Sequence, residues 1–341
     1  MQVVELTSPY KEFDYSRFHT GRSACVVRYG AFGDMLQASS VFPALKEKGY
    51  RLTVNTTEKG FDIIKNDPHV DSVLVQKTDQ VPNAELFEFW ELLRKPFNFF
   101  ANLSESVERS LLAIPEDRSY MWHKAFRDLV MSVDYLDATH AIAEVPDAPR
   151  RPKFYPTKSE RVEAEKCRVK LGPKNKVILW CLSGSSVHKS WPYTDQVVAR
   201  LMIQRPDVRV VFVGDALCQI LDSAWVNEPR VKRKCGKWSI RETLSFAPLA
   251  DLVIGPETGV MNAVSYEDVP KVLMLSHSSP MNLGGNWLNT SAMVPKETPC
   301  WPCHKLHFMW ATCNRDEETG GAKCAANISA DEVYRAILEA I

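Results

Sequence analysis

Apolar and polar residues along this chain fall into blocks that read strand, helix, strand. Residues 24–29 are an apolar run stopped by Gly30. From Asp34 to about Lys48, Met35, Ala38, Val41, Phe42 and Leu45 recur at helical spacing, and Gly49 stands where a helix would be closed. Strand-like runs follow at 51–55 and 72–75, with a helical stretch at 58–65 between them. The second half restarts the pattern. Strands are predicted at 177–182, 208–213, 251–254 and 271–275, with helices at 159–171, 194–204, 239–246 and 258–266 and a last helix at 329–341. Short apolar runs alternating with amphipathic stretches predict parallel sheets covered by helices on both faces.

Pro146, Pro149, Pro152 and Pro156, with Arg150, Arg151 and Lys153 among them, mark a stiff exposed connector. The expected organisation is therefore a domain at 1–150, a second at 151–328, and the helix at 329–341. The chain has 341 residues, enough for two such cores.

Forty-two Lys and Arg balance forty-two Asp and Glu, which argues against a broad polyanion-binding surface but not against a small phosphorylated ligand. The first residues carry no basic start followed by an apolar stretch, and no apolar run reaches membrane-spanning length, so a cytoplasmic protein without a transmembrane segment is expected. Nine cysteines are present, of which Cys25, Cys167, Cys181, Cys218 and Cys235 are scattered.

Four segments could carry chemistry. In Arg28-Tyr29-Gly30-Ala31-Phe32-Gly33-Asp34, a strand ends and a helix begins, the place where ligands collect in open α/β sheets. Asp34 either caps the helix or faces a ligand and takes a proton from a hydroxyl. Ser183, Gly184 and Ser185 open a loop that runs through His188 to Lys189-Ser190-Trp191-Pro192. Its small residues free backbone amides for phosphate oxygens, and Lys189 adds a point charge. In Gly255-Pro256-Glu257-Thr258-Gly259-Val260-Met261-Asn262, the amides of Thr258, Gly259 and Val260 would lie at a helix start. Glu257 could meet sugar or ribose hydroxyls, and Asn262 could reach the same ligand. Finally, Cys300, Cys303, Cys313 and Cys324 are spaced C-x2-C-x9-C-x10-C, with His304 and His307 as substitute ligands. A structural zinc, disulfides and free thiols all suit this pattern.

In this order the segments resemble the heptosyltransferase-like enzymes of glycosyltransferase family 9. That family has a strand ending in Arg and a Gly-Asp loop, as in Arg28 and Gly33-Asp34. It has Lys-x-Trp-Pro, as in Lys189-Ser190-Trp191-Pro192. It has Ala-Asp-Leu-Val-x-Gly before Asp-Ser/Thr-Gly-x-x-His, matched by Ala250–Gly255 and by Glu257 to Asn262. Many members carry a Cys-x-Pro-Cys cluster before a last helix, as at Cys300–Cys303. Two positions depart: Glu257 replaces the family's Asp, and Asn262 replaces its His, which leaves the donor open.

The resemblance implies a GT-B fold, two Rossmann-like domains with parallel sheets facing across a cleft. The first would bind the acceptor, with residues 76–150 shaping its pocket. The second would bind the nucleotide sugar, and the last helix would pack back on the first. It implies inverting, metal-independent transfer from a nucleotide-sugar donor to a hydroxyl on a glycan or another acceptor, with peripheral contact to a membrane-borne acceptor. Asp34 would be the base, and Lys189 with the Thr258–Val260 amides would steady the leaving diphosphate. Arg28, Gly33, Ser183, Gly184, Ser185, Trp191, Glu257 and Asn262 would line the substrates. The family's ribose-binding acid has no clear match; Asp215 and Asp222 are the nearest. A modified DNA base or a protein as acceptor, a nucleotide-binding module without turnover, and a nucleotide-sugar epimerase are rival readings.

Overall fold

The computed structural model describes residues 1–19, 21–105, 122–305 and 313–341. The chain divides into two compact units, Met1–His123 with Val133–Tyr155, and Lys124–Ser132 with Pro156–Ile341.

In the first unit, strands β1 (Gln2–Glu5), β2 (Ser23–Val27), β3 (Arg51–Thr57), β4 (Ser72–Gln76) and β5 (Phe99–Asn102) form a parallel sheet in the order β1-β4-β3-β2-β5. The interior strand β2 is buried at every residue, as a strand covered on both faces must be. Helices α1 (Phe32–Ser39), α2 (Phe42–Glu47), α3 (Glu58–Ile64) and α4 (Leu86–Arg94) belong to this unit. Helix α4 turns Leu86, Phe89, Trp90 and Leu93 inward, one stripe at spacings of three and one or four. The single helix expected over 34–48 is broken in two. Pro43 has no amide to donate, and its ring crowds the carbonyl four residues earlier. Ser39 and Ser40 instead turn their hydroxyls back onto the carbonyls of Leu36 and Gln37, both at 2.7 Å.

Helix α5 (Lys124–Met131) belongs to the second unit and α6 (Tyr135–Ile142) to the first. The second unit continues with α7 (Lys158–Lys170), β6 (Lys176–Cys181), α8 (Thr194–Gln204), β7 (Val208–Val213), α9 (Cys218–Leu221), β8 (Val231–Arg233) and α10 (Ile240–Phe246). Then come β9 (Leu252–Pro256), α11 (Gly259–Val264), β10 (Lys271–Met274), β11 (Thr290–Met293), α12 (Lys323–Ala326) and α13 (Ala330–Ala340). The sheet is parallel in the order β11-β10-β9-β6-β7-β8. Counted from β6 as first, this is the doubly wound Rossmann order, 3-2-1-4-5-6 read from the β8 edge. The terminal helix, expected to return to the first half, lays Val333, Tyr334 and Ile337 into the core around Trp180, Phe212 and Leu201 of the second unit.

Both sheets have a strand at which the chain reverses its direction of travel. In the first sheet the path runs from β2 to β3 and β4, then jumps to β5 on the other side of β2. In the second it runs from β6 to β7 and β8, then jumps to β9. The loops on either side part at these points and leave a crevice beyond the strand ends. The segments after β2, β6 and β9 are three of the four singled out above.

Helix α7 begins with a capping box: Thr157 Oγ1 accepts the Glu160 amide at 3.1 Å, and Glu160 accepts the Thr157 amide at 2.6 Å. The same carboxylate takes two bonds from Arg241 of α10, at 2.6 and 2.8 Å. The Arg241 bonds, outweighing partial burial, hold the Glu160 pKa down to about 2. Its stabilising contribution is therefore complete above the ordinary value of 4.5 and disappears as pH falls toward 2. Glu160→Gln should destabilise the second unit by about 2 kcal/mol at pH 7, because it leaves a buried guanidinium short of its partner. In urea unfolding the gap between variant and parent should close between pH 4.5 and 2. A gap that stays constant over that range would show that the ion pair contributes nothing.

Candidate active site

The first sheet delivers Arg28 just past the end of β2, almost fully buried. Its Nη2 donates to Asp34 Oδ1 at 2.9 Å and also to the Tyr135 hydroxyl of α6, while Nη1 reaches the Leu103 carbonyl at 3.4 Å. Asp34 stands in the first turn of α1, and its Oδ2 accepts the amide of Ala31, the residue before the helix. Gly30 makes this possible: its φ is +101°, and a Cβ there would collide with Asp34 Oδ2. Gly33 lies in the same first turn. Asp34 therefore does cap the helix.

The cap engages one carboxylate oxygen and Arg28 the other. Asp34 is also partly exposed, with 15% of its side chain accessible. Beneath it, Tyr29 donates to Asn55 Oδ1 at 2.6 Å and accepts from Trp90 Nε1 at 3.0 Å, and Asn55 donates to Gln76 at 3.2 Å. This buried polar chain ties the ends of β2, β3 and β4 together.

In the second sheet, the loop after β6 makes a single 3-10 turn at Val187–Lys189. Ser183 and Ser190 hydroxyls close its neck at 2.7 Å, and Ser186 Oγ lies 2.8 Å from His188 Nδ1. Ser185 is exposed at its tip. The Lys189 stem passes over Gly184, where a Cβ would stand 2.6 Å from Lys189 Cδ. Its ammonium then crosses the switch point and donates to the Glu257 carbonyl at 3.0 Å. Trp191, expected to line a substrate, is core instead: it stacks on Trp180 with centroids 6.3 Å apart, and its indole donates to the Ile328 carbonyl at 3.1 Å. It anchors the loop that carries Lys189.

After β9, Thr258 precedes α11, whose first residues are Gly259 and Val260. The helix has six residues rather than the nine expected, and Asn262 is buried within it. Glu257 does not point outward to sugar hydroxyls. It is 6% exposed, with Oε1 against His277 Nδ1 and Oε2 accepting from Ser278 Oγ. Burial raises the proton affinity of this carboxyl, but His277, Lys189 and Ser278 together pull it below the usual carboxylate range. His277 also packs on His188, the rings tilted at 45° with centroids 4.5 Å apart. His304 is buried beside them; burial, then the neighbouring His277, pushes its pKa down to about 4, so it is neutral at physiological pH.

His277 and Ser278 escaped the sequence reading. Their signal was position: Ser276-His277-Ser278-Ser279 is a polar run directly after β10, at the ligand-bearing edge of the sheet, and all four residues are buried. Of the two acids near β7, Asp222 is buried against Arg233 at 2.7 Å, and Asp215 caps the Cys218 amide at 3.2 Å. Cys300, Cys303, Cys313 and Cys324 are free thiols. Cys324 is pushed up to about 12, mainly by burial and then by Cys303. Among the described residues no three His, Cys, Asp or Glu side chains stand where they could share a metal ion, so the four thiols do not fit a structural zinc as they are placed. His307 lies outside the described residues. Arg127 of α5 braces this segment, its Nε donating to the Cys303 carbonyl at 2.7 Å.

No protein-family model and no curated protein matches the chain. Solved structures do. The glycosyl transferase family 9 protein of Veillonella parvula aligns over 96% of this chain and 98% of its own, with a TM-score of 0.69 at 16% identity. The chain has the fold of glycosyltransferase family 9. ADP-heptose lipopolysaccharide heptosyltransferase II of Escherichia coli aligns over 93% and 98%, at a TM-score of 0.63 and 14% identity. The E. coli heptosyltransferase WaaC with ADP aligns over 94% and 100%, at 0.58 and 12%. Among the described residues no helix is long and apolar enough to cross a membrane. Within the family 9 fold, Asp34 and Lys189 each follow the strand at which their sheet reverses.

Proposed function

We propose that this protein is an inverting glycosyltransferase that moves a sugar from a nucleoside-diphosphate sugar to an acceptor hydroxyl. The observation that carries the reading is Lys189, an ammonium fixed between the β6 and β9 loops of a Rossmann-order sheet. A cation at that place suits a diphosphate. The ADP in the name of the similar E. coli structure supports a nucleotide donor of this class.

Asp34 takes the proton of the acceptor hydroxyl as its oxygen attacks the anomeric carbon. The bond from that carbon to the diphosphate oxygen breaks on the opposite face, and the electron pair leaves with the diphosphate. Lys189 and the Thr258, Gly259 and Val260 amides meet the growing charge, the task a divalent cation performs in other transferases. Arg28 orients Asp34 through their 2.9 Å ion pair. The acceptor is a glycan or another hydroxyl-bearing molecule, membrane-borne ones included, reached from the surface.

The test is a thermal-shift and calorimetric panel of nucleoside diphosphates and their sugars, followed by transfer of a labelled sugar to glycan, modified-DNA and protein acceptors. Stabilisation by one nucleoside diphosphate with acceptor-dependent sugar transfer is the expected result. Binding without transfer or hydrolysis would leave a nucleotide-binding module, and reversible sugar interconversion without an acceptor would identify an epimerase. No binding by any member of the panel overturns the reading.

A further inference from the structure

We propose that His277 and Ser278 are positioning residues that keep the Glu257 carboxylate away from Lys189, so that the lysine's charge remains available to a diphosphate. This rests on the reading that Lys189 meets the leaving group.

The geometry sets a conflict and resolves it. Lys189 donates to the main-chain oxygen of Glu257 at 3.0 Å, so the side chain of the same residue is an anion within electrostatic reach of the ammonium. Left unheld, that carboxylate would compete for the positive charge that an incoming phosphate needs. It is held. His277 Nδ1 stands on Oε1 and Ser278 Oγ donates to Oε2, both from the loop after β10. With one oxygen bonded by Ser278, the other in contact with the His277 ring, and the residue 6% exposed, the carboxylate is held where it lies.

His277 is itself fixed from several sides. Its ring packs on His188, the residue before Lys189. Its carbonyl accepts the amides of Cys303 and His304 at 3.1 and 3.0 Å, and Trp301 donates to the Ser278 carbonyl at 3.1 Å. One short segment thus joins the loop bearing Lys189, the loop bearing Glu257 and the cysteine segment. None of these side chains needs to touch the substrate to act.

The experiment measures affinity for whichever of ADP, UDP, GDP and CDP the parent protein binds most tightly, in a double-mutant cycle. His277→Ala should weaken binding about tenfold, within the range for residues sharing one network. On a Lys189→Ala background the same change should have no further effect. Adding Glu257→Gln to His277→Ala removes the competing charge and should restore most of the lost affinity, whereas a merely structural role predicts a deeper loss. Ser278→Ala, a smaller change, should act in the same direction by about threefold and carries the cycle if His277→Ala folds poorly. The inference is overturned if the His277 and Ser278 variants bind as the parent does, if their effect persists without Lys189, or if Glu257→Gln worsens binding. If Lys189→Ala itself leaves affinity unchanged, the failure belongs to the function and not to this inference.

Discussion

Asp34→Asn should lower sugar transfer by about a hundredfold to ten-thousandfold, the contribution expected of a positioned general base, while affinity for the nucleotide stays within about twofold of the parent. The substitution separates the two things Asp34 can do. Asparagine keeps an oxygen for the Ala31 amide, so the helix cap survives in part. Its amide group would face the Arg28 guanidinium, donor against donor, where the carboxylate now accepts at 2.9 Å. A drop in stability of about 1 kcal/mol is the expected structural cost. That cost leaves nearly all molecules folded and cannot produce a loss of two orders of magnitude in turnover. If the variant transfers sugar at the parent rate once its folded fraction is matched, Asp34 is a cap and nothing more. Labelled-sugar transfer with nucleotide calorimetry on one preparation distinguishes the outcomes.

The buried strands at the centres of the two sheets could be read from the chain because nothing else explains runs such as residues 177–182. The edges could not. Strands β1, β8 and β11 span only four, three and four residues and are mostly accessible, so no apolar period announces them. The Gly30 to Asp34 and Ser183 to Lys189 turns were legible because glycine, serine and lone charges after an apolar run have few other uses at a strand end. The partners of Glu257 were not legible for a physical reason. Whether a loop carboxylate faces solvent or core depends on whether a distant segment offers donors, and here His277 and Ser278 do so from the next strand along. The partners of Trp191 were hidden likewise: Trp180 and Ile328 are 11 and 137 positions away. Spacing reveals where a ligand loop lies. The direction of each side chain in it is decided by contacts the spacing does not contain.

Lys189→Ala should cost about a hundredfold to a thousandfold in turnover and on the order of tenfold or more in nucleoside-diphosphate affinity. The turnover loss is larger because charge on the leaving diphosphate grows as the glycosidic bond breaks, so the ammonium interacts more strongly with the transition state than with the bound donor. The loss in affinity should be far smaller for a nucleoside monophosphate, since a lysine at the switch point is aimed at the phosphates and not at the base. Lys189→Arg should not restore the parent. The stem is pressed against Gly184, and a planar guanidinium would have to fit where one compact ammonium now meets a single carbonyl. Because this is a point-charge interaction, raising salt should weaken nucleotide binding by the parent more steeply than by the alanine variant. Equal salt dependence and equal discrimination between mono- and diphosphate in the two proteins would take Lys189 out of the phosphate site, and with it the reason for placing the donor on the second sheet.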